Sequence, residues 1–473
     1  MKFLELRPTN ENIQKTWKED KLQRRNYALR FITLLNSIED ICAIALDGRW
    51  GSGKTFFVKQ VKMLLDAFNG SEEFLNIEES AQIKAEIEKT GGIQVQKQLS
   101  FYYDAWINDN DEDPIVSLLY SILQDVEHCI FEASLRKNYL VKLANLTVDI
   151  ADFFLPGAQE GWRKFKEAWN NSKDVLQRAE APELKELFAP LRAKGELHDE
   201  VQKLFNALLG EQYKRLVIFV DELDRCKPSY AIKLLERIKH YLSDDRVTFV
   251  FSVNIEELQH MVKCCYGPEC SASRYLDRFF DLRASLPELD VDSFFRANRM
   301  FDGHYEMICT VIIKTYQLQL REILKFSRLM KIMTRRITQA LFRMEYESTL
   351  HFCVRFILPV MIGLKLTDQT QYRAFVEGEN SSPLLALLEN ERAKKDIHDW
   401  LVGVKESSSN SENDEDSNFL KEQFEKIYYF LFTLNLDFFY HDRVVVCKLM
   451  FDDFVRNFLS QTITLLSDFA DFK

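Results

Sequence analysis

The sequence predicts an α/β fold: a three-layer αβα sandwich around a parallel sheet, with a helical insertion and an all-α C-terminal region. Three observations carry that expectation. Apolar runs at residues 41–46, 216–220 and 247–253 contain no charged residue, as strands covered by helices on both faces do. Segments of helical period lie between them. Only 15 Gly and 10 Pro in 473 residues leave little room for a turn-rich β architecture, so helix should dominate.

Residues 1–40 space apolar positions as a helix does, through Leu22, Tyr27, Leu29, Ile32 and Leu35. The run 41–46 then reads as a strand ending in Asp-Gly. Helical spacing resumes over 54–68 through Phe57, Val61, Leu64 and Leu65, so this stretch is strand, Gly-rich loop, helix. Residues 70–96 are acidic and read as helix, 99–103 as another strand, and 108–114 as a loop. Residues 135–200 read as inserted helices broken at Pro156-Gly157 and Ala181-Pro182. Past Pro287 the pattern is persistently helical and Phe-rich, interrupted by the polar loop 407–416. The expected division is a first domain over 1–290 and a helical lid with a C-terminal helical domain over 291–473.

A formal charge of −11 opposes bulk polyanion, so the chain carries no strong nucleic-acid signal. Nine scattered cysteines fit reduced thiols better than a disulfide framework. The opening MKFLELRPTNENIQ has no charged, apolar and small-residue succession of an export signal, and a cytoplasmic location is expected. Residues 350–366 come nearest to a membrane span but contain His351, Arg355 and Pro359, and 139–158 contain Lys142, Asp149 and Asp152. Neither is expected to cross a bilayer.

The strongest chemical signal is Gly48-Arg49-Trp50-Gly51-Ser52-Gly53-Lys54-Thr55, a complete G-x-x-x-x-G-K-[ST] string between a strand and a helix. Its glycines permit a turn that points consecutive amides at phosphate oxygens, and the helix N-terminus adds positive potential. Lys54 would reach the β- and γ-phosphates, and Thr55 would ligate magnesium. The second signal is the run 216–220 ending in Asp221-Glu222, since a parallel strand delivers its C-terminal residues to the ligand crevice. Asp221 would hold magnesium, and Glu222 would orient and deprotonate the attacking water. Asn254 ends the 247–253 run and has two readings: a cap for the next turn, or a polar sensor if that strand lies between the other two.

Arg274 and Arg278 are candidates for the arginine that neutralises charge on the γ-phosphate, against solvated helix residues. Arg225 is read as bracing the acidic loop through Asp224, against a catalytic role. Arg321, Lys325, Arg328, Lys331 and Arg335 share roughly one helical face, open to three readings: a solvated face, a lid bringing Arg328 to the nucleotide, or an anionic docking surface. His260, Cys264, Cys265 and Cys270 lack a second C-x-x-C pair, and zinc is not expected there. Tyr103 and Trp106 are expected to be core anchors.

DELDRCKP at 221–228, Tyr266-Gly267 with Tyr275-Leu276 and Leu286-Pro287, YDAWINDNDEDP at 103–114 and the GRWGSGKT form of the loop together resemble the KAP family of P-loop NTPases over roughly residues 20–350. The resemblance implies a fold similar to AAA+ and STAND ATPases, with an added strand between the two nucleotide-binding strands. It implies ATP as the nucleotide, with Mg2+, and the same roles for Asp221, Glu222 and Asn254. It also implies a bacterial setting in which some members act in defence against phages, and others carry membrane helices where this chain has its 135–200 insertion. The functional expectation is an ATPase driving a conformational or assembly switch, with a protein partner or a homo-oligomer. The alternative is a nucleotide-dependent interaction module with negligible turnover.

Overall fold

The computed structural model describes residues 6–111, 113–129, 194–242, 244–298, 303–340, 347–402, 414–433 and 443–469. Most of the expected insertion therefore lies outside the described residues, as do the candidate span at 139–158 and most of the polar loop at 407–416. The chain forms two compact units, Arg7–Glu288 and Leu289–Lys473 with the N-terminal residues up to Leu6.

In the first unit, strands β1 (Cys42–Asp47), β2 (Gln98–Asp104), β3 (Arg215–Asp221), β4 (Val247–Val253) and β5 (Leu282–Ser285) form one sheet in the order β2-β3-β4-β1-β5. Every pairing is parallel. All seven residues of β3 and all seven of β4 are buried, which explains their continuous apolar runs. Alternate residues face opposite ways: Val217 and Phe219 pack into one core, Ile218 and Val220 into the other.

Helices α1 (Asn10–Glu19), α2 (Arg25–Ser37), α3 (Lys54–Phe68) and α4 (Ile77–Gly91) supply the first core. Helices α5 (Pro114–Cys129), α6 (Lys194–Leu209), α7 (Pro228–Tyr241), α8 (Ile255–Tyr266) and α9 (Ala272–Leu276) supply the second. This is the three-layer arrangement the apolar runs predicted. Local sequence marks the helix ends, as in α4, where Asn76 and Glu79 cap each other's backbone N–H groups.

Among the described residues, the second unit is helical apart from the antiparallel hairpin of β6 (Arg443–Val446) and β7 (Leu449–Asp452). Ser348–Thr367 is the one described helix long and apolar enough to cross a membrane, with a mean hydropathy of 1.6, and 78% of that window is buried inside the protein. Its Arg355 makes a bidentate pair with Asp396, both bonds 2.7 Å, so the charge is satisfied by a half-buried partner within the protein. In the helix Leu320–Ala340, Ile323, Phe326, Met330 and Met333 are buried while Arg321, Lys325, Arg328, Lys331 and Arg335 are exposed, as a solvated basic face requires.

Gly363 sits on the buried helix Leu358–Thr367, where a Cβ would lie 2.7 Å from Tyr316 Cδ2 and 2.9 Å from Ile312 Cγ2. Gly363→Ala is therefore expected to destabilise this unit by about 1–3 kcal/mol through overpacking. Urea unfolding checks it; an unchanged midpoint would mean that Tyr316 swings aside freely.

Candidate functional site

Because the strands are parallel, their carboxyl ends share one edge of the sheet, where a ligand crevice forms. There β1 turns into residues 48–53 and then into α3. Gly51 (φ 79°) and Gly53 (φ 92°) hold left-handed conformations that side chains with a Cβ resist. Gly48 N–H donates to Val253 O at 3.1 Å, fastening the loop to the end of β4. Arg24 fastens its other side: Nη1 donates to Ser52 O at 2.7 Å and Nη2 to Pro287 O at 3.4 Å. Burial pushes the Arg24 guanidinium down to about 10, and among the described residues Arg24 Nε and Ser52 Oγ have no hydrogen-bond partner.

Lys54, the first residue of α3, is buried and donates from Nζ to Gly48 O and, at 3.3 Å, to Arg49 O. Burial lowers its pKa against the pull of Asp224, Asp221, Glu222 and Asp47. The ammonium thus sits between the loop carbonyls and an acidic cluster. The Trp50 indole crosses the same gap and donates to Asp224 Oδ2 at 2.6 Å.

The acidic side is equally tied down. Thr55 Oγ1 donates to Glu222 Oε1 at 3.4 Å, so α3 and the end of β3 meet at this point. Asp221 accepts from Tyr102 Oη at 2.9 Å on Oδ2, and from Glu222 N–H at 3.0 Å on Oδ1. Burial pushes the Tyr102 phenol strongly upward, so its hydroxyl stays protonated as a donor. Glu222 has φ 59°, a left-handed value uncommon outside glycine, and its Oε2 pairs with Arg225 Nε at 2.6 Å. Burial, then the neighbouring Asp221 charge, pushes Glu222 up to about 7. Asp224, raised by burial and opposed by Lys54, accepts the Asn254 N–H at 3.0 Å as well as the Trp50 indole.

The expected strand order holds, with β4 between β1 and β3 and Asn254 at its end. The Asn254 Oδ1, however, accepts from Glu256 N–H at 3.1 Å and caps α8, the first of its two readings. Arg225 pairs with Glu222, not with Asp224 as expected. Arg274 and Arg278 are exposed, and neither makes a hydrogen bond or ion pair with the loop or with the 221–224 carboxylates. Tyr103 is a core anchor, 1% exposed and bonded to Tyr230 Oη at 2.6 Å, but Trp106 is 52% exposed with the Arg225 guanidinium 5.8 Å from its ring. Cys264 and Cys265 are exposed, and no metal-holding group of three His, Cys, Asp or Glu occurs among the described residues.

Residues 48–55 with Asp221 and Glu222 therefore form one constellation. Sequence reasoning missed Tyr102 and Arg24, whose contacts with the site depend on strand and helix neighbours that no local pattern reports. The donors suit magnesium: a hydroxyl and a carboxylate from adjoining elements are hard oxygens, and this ion takes one or two protein oxygens and keeps several waters.

A family profile described as the KAP family P-loop domain matches residues 24–302. No curated protein matches the chain. Among solved structures, the ORC2 protein of Aeropyrum pernix, determined as ADPNP-ADP complexes, is 13% identical over 93% of this chain and 94% of its own, with a TM-score of 0.29. The profile spans more than half of the 473 residues and contains the whole constellation, so the chain belongs to the KAP family of nucleotide-binding P-loop NTPases.

Proposed function

We propose that this chain hydrolyses ATP with magnesium to drive a conformational or assembly switch. The observation that carries this reading is the 3.4 Å approach of Thr55 Oγ1 to Glu222 Oε1, which makes phosphate loop and acidic strand end one site. The amides of residues 48–55 cradle the phosphates, and Lys54 exchanges its carbonyl partners for phosphate oxygens. Thr55 and Asp221 hold magnesium, which when bound neutralises charge on the phosphate oxygens. Glu222 accepts the proton of the attacking water, its pKa near 7 suiting a base that works at neutral pH. Asn254, whose Oδ1 caps α8, has only its Nδ2 left for a polar contact from the end of β4. Arg274 and Arg278, being exposed, suit delivery to a neighbouring copy in a homo-oligomer.

One observation favours the second reading, an interaction module with little turnover: the Arg225 ion pair occupies the base. Phosphate release by the purified protein separates the two. Magnesium-dependent release supports the enzyme; stoichiometric ATP binding without release supports the module. A role in defence against phages rests on the family resemblance. Equal phage plating on cells carrying wild-type protein and Lys54→Ala would remove it.

The proposed base also sets a pH dependence. Glu222 must be deprotonated, so turnover should rise as pH passes through about 7. Arg225 favours the charged carboxylate, so Arg225→Ala should move that limb to higher pH. A limb that stays in place in pH–rate profiles would show that Arg225 does not act on the titrating group.

A further inference from the structure

We infer that Tyr102 is a positioning residue for the metal-facing carboxylate of Asp221, and that Lys59 steadies it from α3. The inference rests on the proposed reading of Asp221 as a magnesium ligand. Tyr102 lies on β2 in register with Phe219 of β3, two residues before Asp221. Its hydroxyl reaches past that neighbour to donate to Asp221 Oδ2 at 2.9 Å, while the Glu222 N–H donates to Oδ1 at 3.0 Å. Each carboxylate oxygen thus holds one donor, which fixes the plane of the group and leaves lone pairs for a cation or its water.

The Tyr102 ring is itself held. Lys59 Nζ lies 4.4 Å from its centroid, a cation–π contact between two half-buried groups. Lys59 comes one helical turn after Thr55 on α3, so the two side chains share a face. One helix therefore sets both oxygen donors of the proposed cation: Thr55 directly, and Asp221 through Lys59 and Tyr102. Partners of this kind behind a metal ligand are worth about 10–100-fold in metal affinity. A role confined to packing would alter thermal stability and leave metal dependence alone.

The test measures binding of a fluorescent ATP analogue to the full-length protein, in EDTA and across a magnesium series. Tyr102→Phe keeps the ring and removes the hydroxyl. It is expected to raise the half-saturating magnesium concentration about tenfold, at the lower end of that range, with affinity in EDTA unchanged. Lys59→Met should shift it in the same direction by less, and it carries the test if Tyr102→Phe does not fold. Asp221→Asn should abolish the magnesium effect. If Asp221→Asn abolishes it while Tyr102→Phe and Lys59→Met titrate as wild type, the positioning role is overturned and the metal reading stands. If Asp221→Asn titrates as wild type, the metal reading falls and takes the inference with it.

Discussion

Glu222→Gln is expected to lower magnesium-dependent ATP turnover by about 10²–10⁴-fold, the contribution usual for a positioned general base, while nucleotide binding persists. The amide matches the carboxylate in shape and can still accept from Thr55, so the loop should keep its form. What it loses is the capacity to take a proton. Two features argue that this position is built for that task. Burial holds the carboxyl near 7, where it alternates readily between protonation states. Its backbone sits at φ 59°, a conformation costing about 1–3 kcal/mol outside glycine, which persists only where surroundings impose it. Here Asp221 Oδ1 holds its N–H and Arg225 holds its side chain. Steady-state phosphate release beside equilibrium binding of an ATP analogue checks the result. Turnover within threefold of wild type would remove Glu222 from the role of base.

The layers of this fold were legible because burial on both faces leaves charge-free strands: β3 and β4 are buried throughout, and their apolar runs announced them. The edge strand β5 escaped notice for the complementary reason, since Leu282 and Arg283 are exposed and leave no run to read. Strand order was beyond local pattern. It is a property of pairing, and the position of β4 between β1 and β3 entered as a condition on Asn254 and as an implication of the family resemblance. The loop was read almost residue by residue, because phosphate-cradling geometry constrains glycines at fixed spacing.

The charge network was read with one partner exchanged. Arg225 was assigned to its sequence neighbour Asp224, yet Leu223–Arg225 form a 3₁₀ turn, in which side chains three apart align, and this brings Arg225 to Glu222. Asp224 faces inward instead and binds Trp50 and Asn254, 174 and 30 residues away. Trp106 was expected to be a core anchor of the loop it precedes. The chain turns outward first, at Asp104, whose Oδ1 accepts the Ile107 N–H at 3.1 Å.

Lys54→Ala should lower ATP affinity at least 100-fold, about 2.7 kcal/mol, because it removes the buried ammonium proposed to bind the phosphates. The arithmetic follows from what surrounds it. Asp47, Asp221, Glu222 and Asp224 all act on Lys54, so an entering triphosphate meets a negative site in which this lysine is a buried counter-charge. Two charge-assisted hydrogen bonds to phosphate oxygens, at about 1.5–3 kcal/mol each, account for the loss without invoking a change of fold. The ligand-free protein has its own stake in the residue, since Lys54 holds the carbonyls of Gly48 and Arg49. A thermal melt must therefore accompany calorimetry, and Lys54→Arg, which keeps the charge, should retain more affinity than Lys54→Ala if electrostatics dominate. Wild-type affinity in a folded Lys54→Ala protein would mean that the nucleotide binds elsewhere, and the loop between β1 and α3 would then be only a turn.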